Sequence, residues 1–184
     1  MKVESVVFLA ADFLGLRDCV ERVLEGDWEG NDYIIYTGLL RCYNLVETEV
    51  ATDYLPLVCE EIVVCEDGKV AYEKFSRKPA YIIGAFDNYG EKVKIRLFPT
   101  YFAAAKGTYT VRYAALPIEK TIDDECEWAL PITERVIAYG LAVEYCIQNG
   151  LYAEQAVWEK KFKSGLAAAC KQRGGKTVKV GGWV

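Results

Sequence analysis

The chain has 184 residues, of which 52% are hydrophobic and 27% are charged, with 15 glycines and 5 prolines. This composition is typical of a globular protein and excludes a disordered, collagen-like or low-complexity chain. The absence of histidine removes Ser–His and Cys–His nucleophile pairs and imidazole metal sites. Composition therefore argues against most enzyme classes, and we expect a protein without catalytic activity, cofactor or bound metal.

Charge is distributed unevenly along the chain. Residues 1–150 contain 15 Lys or Arg and 25 Asp or Glu, a net charge of −10, whereas residues 151–184 contain 7 and 2, a net charge of +5. An acidic body with a basic end favours head-to-tail association between copies of the chain. The alternative is an uneven distribution with no role in association.

The seven cysteines form no Cys-x-x-Cys pair, so they indicate reduced thiols in a cytosolic compartment rather than a zinc or redox site. No run without a charged residue exceeds nine residues, far below the roughly 20 that a membrane span needs. Asp12 interrupts the apolar N-terminal stretch, which argues against a signal peptide. We therefore expect a soluble protein that is not secreted.

Two helices are predicted before the first strand. The first covers residues 5–24, because apolar residues recur there at three- and four-residue steps, at Leu9, Phe13, Leu16, Val20 and Val23. The second covers residues 32–54, with Asn31 or Asp32 as its N-cap and Pro56 at its end. Its predicted apolar stripe is Ile35, Leu39, Cys42, Val46 and Val50.

From residue 57 to residue 116 the apolar period changes to two, which predicts four or five antiparallel strands in a meander. Residues 62–65 and 70–72 flank an Asp67-Gly68 pair, typical of a tight hairpin turn. A second hairpin is predicted around residues 87–90.

The acidic segment 119–127 is predicted to be a solvated linker. A third helix is predicted over residues 131–149. Pro131 is suited to its first turn, and Asn149-Gly150 is suited to its end. This should be the most buried helix. A last helix is predicted over 152–172, with Trp158, Phe162, Leu166 and Ala169 on one side.

The predicted fold class is α+β, a single domain over 1–173. Its small helical bundle has two N-terminal and two C-terminal helices, an inserted antiparallel β meander at 57–116, and a flexible C-terminal tail at 174–184.

Motifs for catalysis are weak in this sequence. Glu60-Glu61 and Asp123-Asp124-Glu125 are adjacent carboxylates, whereas a glycosidase holds two carboxylates across a cleft. Gly174-Gly175-Lys176-Thr177 resembles the end of a phosphate-binding loop, but position 170 is Cys and a predicted helix precedes it. The motif requires a glycine there and a preceding strand, so we reject a phosphate loop.

Two sets of residues are candidates for contact with partners. Lys92, Lys94 and Arg96 alternate with apolar residues on a predicted strand, and Arg112 could join them from a neighbouring strand. This basic stripe is either a solvent-facing strand or a sequence-blind contact with an acidic surface or nucleic-acid phosphates. The tail is either disordered or a docking segment that adds to a sheet edge and inserts its tryptophan, through Lys176, Val178, Val180, Trp183 and Val184.

Three stretches carry a resemblance to a known family: residues 46–57 at the end of the second helix, residues 107–113 with the following Pro117, and residues 138–150 with the last helix. They resemble the adaptor or head completion proteins of tailed bacteriophages, the head–tail connectors that form a ring beneath the portal.

The resemblance implies a structural virion protein that assembles with itself into a ring, commonly of twelve copies, as the platform for tail attachment. Its implied partners are the portal protein, the next neck or tail protein and, through a sequence-blind contact, packaged DNA. The implied location is the virion neck, after synthesis in the bacterial host cytoplasm. The tail from Lys176 to Val184 would then reach the portal, and Lys92, Lys94 and Arg96 would contact the ring lumen or a neighbour.

Two other classes of function remain open from the sequence. A glycan- or peptide-binding module would use the meander, and its sign would be a cluster of exposed Tyr72, Tyr81 and Tyr89. A hydrolase or lyase would use paired carboxylates or a thiolate in a cleft, and its sign would be a pocket with two carboxylates or a cysteine of low pKa.

Overall fold

The computed structural model describes residues 1–128 and 132–173, with side chains as far as Lys171. The chain divides into two compact units, a helical unit formed by residues 1–46 with those from 120 on, and a β unit formed by residues 47–119. The α+β class is confirmed, with antiparallel strands inserted between N-terminal and C-terminal helices. The single domain over 1–173 stays a prediction, and the tail at 174–184 lies outside the described residues.

The prediction of one helix over 5–24 is wrong, because two helices occupy this region. Helix α1 covers Val3–Leu14 and helix α2 covers Arg17–Glu25. Gly15 separates them with φ of 68°, and the N–H of Leu16 donates to the carbonyl of Ala11 at 2.8 Å. This left-handed conformation costs glycine little, so it ends α1.

The buried face of α1 also differs from the predicted stripe. Leu9 and Phe13 are only partly buried, and the fully buried positions of α1 are Val3, Val6, Val7, Ala10 and Ala11. These smaller side chains allow α1 to pack directly against helix α4 (Glu134–Gln148). The sequence prediction gave weight to the largest apolar residues, whereas close packing between helices selects the smaller ones.

Helix α3 covers Gly30–Glu49 and continues into one π-helical turn at Val50–Tyr54, so the predicted end at residue 54 is confirmed. The predicted N-cap is wrong, because Asp32 lies inside the first turn. Its carboxylate accepts a hydrogen bond from the N–H of Glu29 at 3.2 Å, as the third residue of a helix does when it reaches back to the capping residue. The predicted stripe is buried except for the partly buried Ile35.

Helices α4 (Glu134–Gln148) and α5 (Tyr152–Arg173) correspond to the predicted helices 131–149 and 152–172. Helix α4 begins after Thr133, later than predicted, and Pro131 lies outside the described residues. Asn149-Gly150 ends α4 as predicted, with Gly150 at φ of 71° and the Leu151 N–H donating to Cys146 at 2.8 Å. Helix α4 packs against both α1 and α5, and its buried positions are Ile137, Ala138, Gly140, Leu141, Ala142, Val143 and Cys146.

The acidic segment before α4 is held by specific contacts rather than being a freely solvated linker. The side-chain amide of Asn44 donates to the carbonyl of Lys120 and accepts from its N–H, at 3.0 and 2.7 Å. Lys120 and Glu127 form an ion pair at 3.3 Å between largely buried side chains. The N–H of Val3 donates to the carbonyl of Asp124 at 3.0 Å. From Lys120 on, this segment therefore belongs to the helical unit.

The β unit contains seven strands among the described residues: β1 (Leu57–Cys65), β2 (Lys69–Ala71), β3 (Pro79–Phe86), β4 (Lys92–Val93), β5 (Arg96–Leu97), β6 (Tyr101–Ala103) and β7 (Gly107–Ala115). They form two antiparallel sheets with the strand orders β1-β7-β3-β4 and β2-β6-β5. The two sheets share one hydrophobic core, which includes Val63 of β1, Val70 of β2, Phe102 of β6 and Val111 of β7.

One of the two predicted hairpins has the expected pairing. Strands β3 and β4 pair across the turn at 87–90, where the Asp87 carboxylate accepts from the N–H groups of Tyr89 and Glu91. The other prediction is wrong, because β2 pairs with β6 while β1 pairs along its whole length with β7. The Asp67-Gly68 turn itself is present, with Gly68 at φ of 76°.

Within residues 1–128 and 132–173, no helix is both long enough and apolar enough to cross a membrane.

Candidate interaction surfaces

The junction between α2 and α3 exposes two stacked aromatic rings. Helix α2 ends at Gly26, which takes φ of 83°, and Trp28 lies in the short link before α3 begins. The ring centroids of Trp28 and Tyr33 are 5.0 Å apart, and each residue is 47% exposed. Ile34 beside them is 68% exposed. We call Trp28, Tyr33 and Ile34 the aromatic surface.

An ion pair fixes the shape of this junction. Arg22 donates from Nε and from a terminal guanidinium nitrogen to the two carboxylate oxygens of Asp32, at 2.9 and 2.6 Å. The Asp32 side chain is only 6% exposed. Hydrogen bonds from Arg22, followed by that from the Glu29 N–H, hold the pKa of Asp32 well below its usual range. The last turn of α2 is therefore tied to the first turn of α3 by a two-point, charge-assisted contact.

The aromatic surface lies within an acidic segment. Residues 17–32 contain six Asp or Glu and two Arg, a net charge of −4. Arg22 is engaged by Asp32, and Arg17 donates to Asp12 at 3.1 Å and to Glu21 at 2.7 Å. The exposed acids next to Trp28 in the chain are Glu25, Asp27 and Glu29.

Helix α5 carries a second surface, of opposite charge. An open groove of about 730 Å³ lies along it, lined by Tyr139, Ala156, Val157, Lys160, Lys161 and Ser164. We call this the α5 groove. Val157 is 54% exposed, and Nζ of Lys161 lies 4.3 Å from the ring centroid of Trp158, which is cation–π geometry.

Tyr139, which lines the groove, belongs to a stack of three aromatic rings from three helices. The ring of Phe13 in α1 stacks on Tyr139 of α4 at 5.1 Å and on Trp158 of α5 at 5.0 Å. The helical spacing predicts Trp158 on the packed side of the last helix, and the structure places it there. Nζ of Lys161 lies over two rings of this stack, 5.4 Å from the centroid of Tyr139 and 4.3 Å from that of Trp158.

A third surface lies on the β unit. Three aliphatic side chains on the outer face of β1 are exposed, Val58 at 53%, Ile62 at 73% and Val64 at 51%. Because β1 is an edge strand of its sheet, they form a strip along that edge. Glu60 lies between them and pairs with Arg112 of β7, whose guanidinium carbon is 5.5 Å from the ring centroid of Phe86. We call Val58, Ile62 and Val64 the β1 strip.

The predicted basic stripe is not one strand. Lys92 belongs to β4 in the four-stranded sheet, Arg96 belongs to β5 in the three-stranded sheet, and Lys94 lies in the link between them. All three are exposed. Arg112 does not extend the stripe as a free cation, because it is engaged by Glu60. A contact of Lys92, Lys94 and Arg96 with a ring lumen or neighbour stays a prediction. The predicted docking residues of the tail lie outside the described residues, namely Lys176, Val178, Val180, Trp183 and Val184.

The carboxylates considered for catalysis do not face each other. Glu60 lies on the outer face of β1 with Arg112, whereas Glu61 on the opposite face accepts from Ser76 and Tyr113. Burial alone would raise the pKa of Glu61, but these hydrogen bonds outweigh burial and hold the pKa below its ordinary value. Burial and the Glu61 carboxylate raise the pKa of Tyr113 to about 12. This cluster anchors the segment after residue 75 to β1.

The pKa values of two buried thiols are shifted away from those of a nucleophilic cysteine. All seven cysteines are reduced thiols. Burial, followed by the charge of Glu144, raises the pKa of Cys42 to about 12, and burial also raises the pKa of Cys146. An activated cysteine needs the opposite shift. Within the described part of the chain, no three Cys, Asp or Glu side chains are placed to hold a metal ion.

The tyrosines proposed for a binding module do not form a cluster. Tyr72 packs against the core of the β unit. Tyr81 lies near the start of β3 and Tyr89 lies in the turn beyond its end. At about 3.3 Å per residue, β3 separates these two residues by more than about 15 Å. A glycan- or peptide-binding surface built from these three rings is therefore not present.

The aromatic surface was not predicted from the sequence. The available signal was a tryptophan between two glycines in an acidic segment, without the apolar neighbours that a core position has.

No protein-family model and no curated protein matches this chain.

Proposed function

We propose that this chain is a structural protein of the phage neck, a head–tail connector that assembles with copies of itself into a ring beneath the portal and offers a platform for the tail. The observation that carries the proposal is the β1 strip. Burying one such aliphatic side chain contributes about 1.5–3 kcal/mol. Three neighbouring ones left in water on an edge strand are typical of a surface that another protein covers.

Two further features support assembly. The charge of the chain is segregated between an acidic body and a basic C-terminal part, which favours unlike surfaces of neighbouring copies. The helical unit exposes a second apolar patch, the aromatic surface. A ring multiplies such contacts, so that interfaces of modest strength suffice for stable assembly.

In this proposal the ring contacts the portal on one side and the next neck or tail protein on the other. Lys92, Lys94 and Arg96 are exposed cations that could meet a neighbour or packaged DNA, and the tail from Lys176 to Val184 is proposed to reach the portal.

The test is electron microscopy of the purified full-length chain, alone and mixed with the portal ring of the same phage. We expect rings, or added density on one end of the portal. Particles that stay monomeric under both conditions would contradict the proposal.

A variant links this outcome to the β1 strip. Ile62→Ser should weaken binding to the portal ring while the fold is kept, because this side chain is 73% exposed. The matched control is Ile118→Ser, since Ile118 is 60% exposed on the same unit but lies outside the strands. Equal effects of both variants would show that the strip has no special part in assembly.

A further inference from the structure

We propose that neighbouring copies join head to tail, with the aromatic surface of one copy seated in the α5 groove of the next. This rests on the proposed self-assembly and names the contact that produces it. Both surfaces belong to the helical unit, and they have no residue in common.

The two surfaces are chemically complementary. The aromatic surface brings two stacked rings and Ile34, flanked in the chain by Glu25, Asp27 and Glu29. The α5 groove has an apolar floor that includes Val157 and two exposed lysines at its edge. The rings of the aromatic surface can pack on the floor of the α5 groove, while the lysines of the groove contact the carboxylates and ring faces of the neighbouring copy.

The groove is large enough for this occupant. Its volume of about 730 Å³ lies within the roughly 300–1,000 Å³ of clefts that hold drug-sized ligands. Tryptophan and tyrosine each bury about 150–250 Å² when covered, and they are frequent anchors of protein interfaces. The Arg22–Asp32 ion pair holds the turn that presents Trp28, so little conformational freedom is lost on docking.

Charge selects the pairing of unlike surfaces. Two aromatic surfaces face to face would bring together two acidic segments of net charge −4 each, and two α5 grooves would oppose lysines to lysines. Like charges directly opposed disfavour both symmetric contacts. A contact between different surfaces of identical copies repeats around an axis and can close into a ring, which is the assembly that the proposed function requires.

The test uses two variants of the full-length chain that each remove one side of the contact. The first, Trp28→Ser with Tyr33→Ser, removes the aromatic surface. The second, Val157→Ser with Lys160→Glu, alters the α5 groove but keeps the Lys161–Trp158 contact. All four side chains are exposed, so we expect circular dichroism and melting to be unchanged. The matched controls are Tyr89→Ser and Lys74→Glu, exposed positions on the β unit.

Sedimentation velocity at low salt measures the result. The wild type and both controls should self-associate, and each variant alone should associate at least about tenfold more weakly, a change of about 1.4 kcal/mol. A one-to-one mixture of the two variants should give a heterodimer and nothing larger, because one intact pair of surfaces remains. Wild-type association should weaken as salt rises.

Other outcomes separate the two proposals. If the wild type self-associates and the variants do so equally well, the interface lies elsewhere: the head-to-tail contact is overturned and the connector function is not. If both variants are weakened but their mixture stays monomeric, the two surfaces do not face each other, which also overturns the contact. If the wild type stays monomeric at every concentration and with the portal ring, self-assembly fails and the proposed function fails with it. Should the Trp28 variant not fold, Glu25→Lys with Asp27→Lys replaces it, with the same expected results.

Discussion

Gly140→Ala should destabilise the helical unit, although alanine is the better helix former. Gly140 lies in the middle of α4, and an added Cβ would sit 2.7 Å from Cε2 of Phe162 and 2.7 Å from Cγ1 of Val46. Carbon atoms in favourable contact are about 3.5–4.0 Å apart. The methyl group can enter only if the neighbouring side chains from α5 and α3 move away.

The magnitude follows from two opposing effects. Overpacking a closely packed core costs about 1–3 kcal/mol, whereas replacing glycine by alanine inside a helix gains about 1 kcal/mol. Because three contacts of the added Cβ would be shorter than 3.0 Å, we expect the overpacking cost to lie in the upper part of this range, at about 2–3 kcal/mol. The net loss in the free energy of unfolding is then about 1–2 kcal/mol. For a protein of this size, that lowers Tm by about 2–8 °C.

Gly38→Ala is the matched control. It lies inside α3, and the nearest atom to its added Cβ is Cε2 of Tyr145 at 3.9 Å, an ordinary contact. Only the helix-propensity gain remains, so Tm should rise by about 2–4 °C. Gly165→Ala should behave like Gly140→Ala, because its Cβ would lie 2.6 Å from Cγ2 of Val136.

The assay is thermal unfolding of the three variants followed by far-ultraviolet circular dichroism. Opposite signs for Gly140→Ala and Gly38→Ala are the expected result. If Gly140→Ala raises Tm as much as Gly38→Ala, the close approach of Phe162 and Val46 does not limit this position and the reasoning is refuted.

Three further predictions concern pH, the thiols and the tail. The pKa of Asp32 is lowered by folding, so its contribution to stability is present above the ordinary aspartate pKa of about 4 and is lost as pH falls below it. Asp32→Asn should therefore be less stable than wild type at neutral pH, with the difference closing in acid; a constant difference in urea unfolding across this range would contradict this. Cys42, with its pKa raised to about 12 by burial, should resist alkylation in the native protein and react after unfolding, as mass spectrometry can measure; equal rates in both states would refute its burial. Removing residues 176–184 should leave melting nearly unchanged while weakening ring assembly or portal binding in a pull-down, and loss of folding would place these residues in the core instead.

Local patterns in the sequence were enough to predict much of the secondary structure. The helical period and Pro56 predicted α3 and its end, and Asn149-Gly150 predicted the end of α4. These features depend on backbone preferences within a few residues, which is why they can be read without the tertiary structure. Gly15 is the local signal that was missed, since a glycine within a periodic helix pattern can be either tolerated or a stop.

Strand pairing could not be predicted from such local patterns. Strand β1 pairs from Leu57 with Ala115 to Cys65 with Gly107, while β2 pairs with β6 rather than with the strand before it. Any of several apolar strands with a period of two fits the same neighbour, and only simultaneous packing of both sheets around the common core selects one arrangement. Packing around this core also places Lys92 and Arg96 in different sheets, although the basic residues alternate regularly with apolar residues in this part of the sequence.

The sequence by itself determined the α+β class, the position of the strands between N-terminal and C-terminal helices, and the segregation of charge, because these depend on composition and on short-range periodicity. Only the tertiary structure decided which apolar residues are buried and which form surfaces. Trp28 and Ile62 have the side chains of core residues, yet they are exposed, while Gly140 and Gly165 lie where helices approach most closely. Burial is a property of what packs against a residue from elsewhere in the chain, so no local pattern contains it.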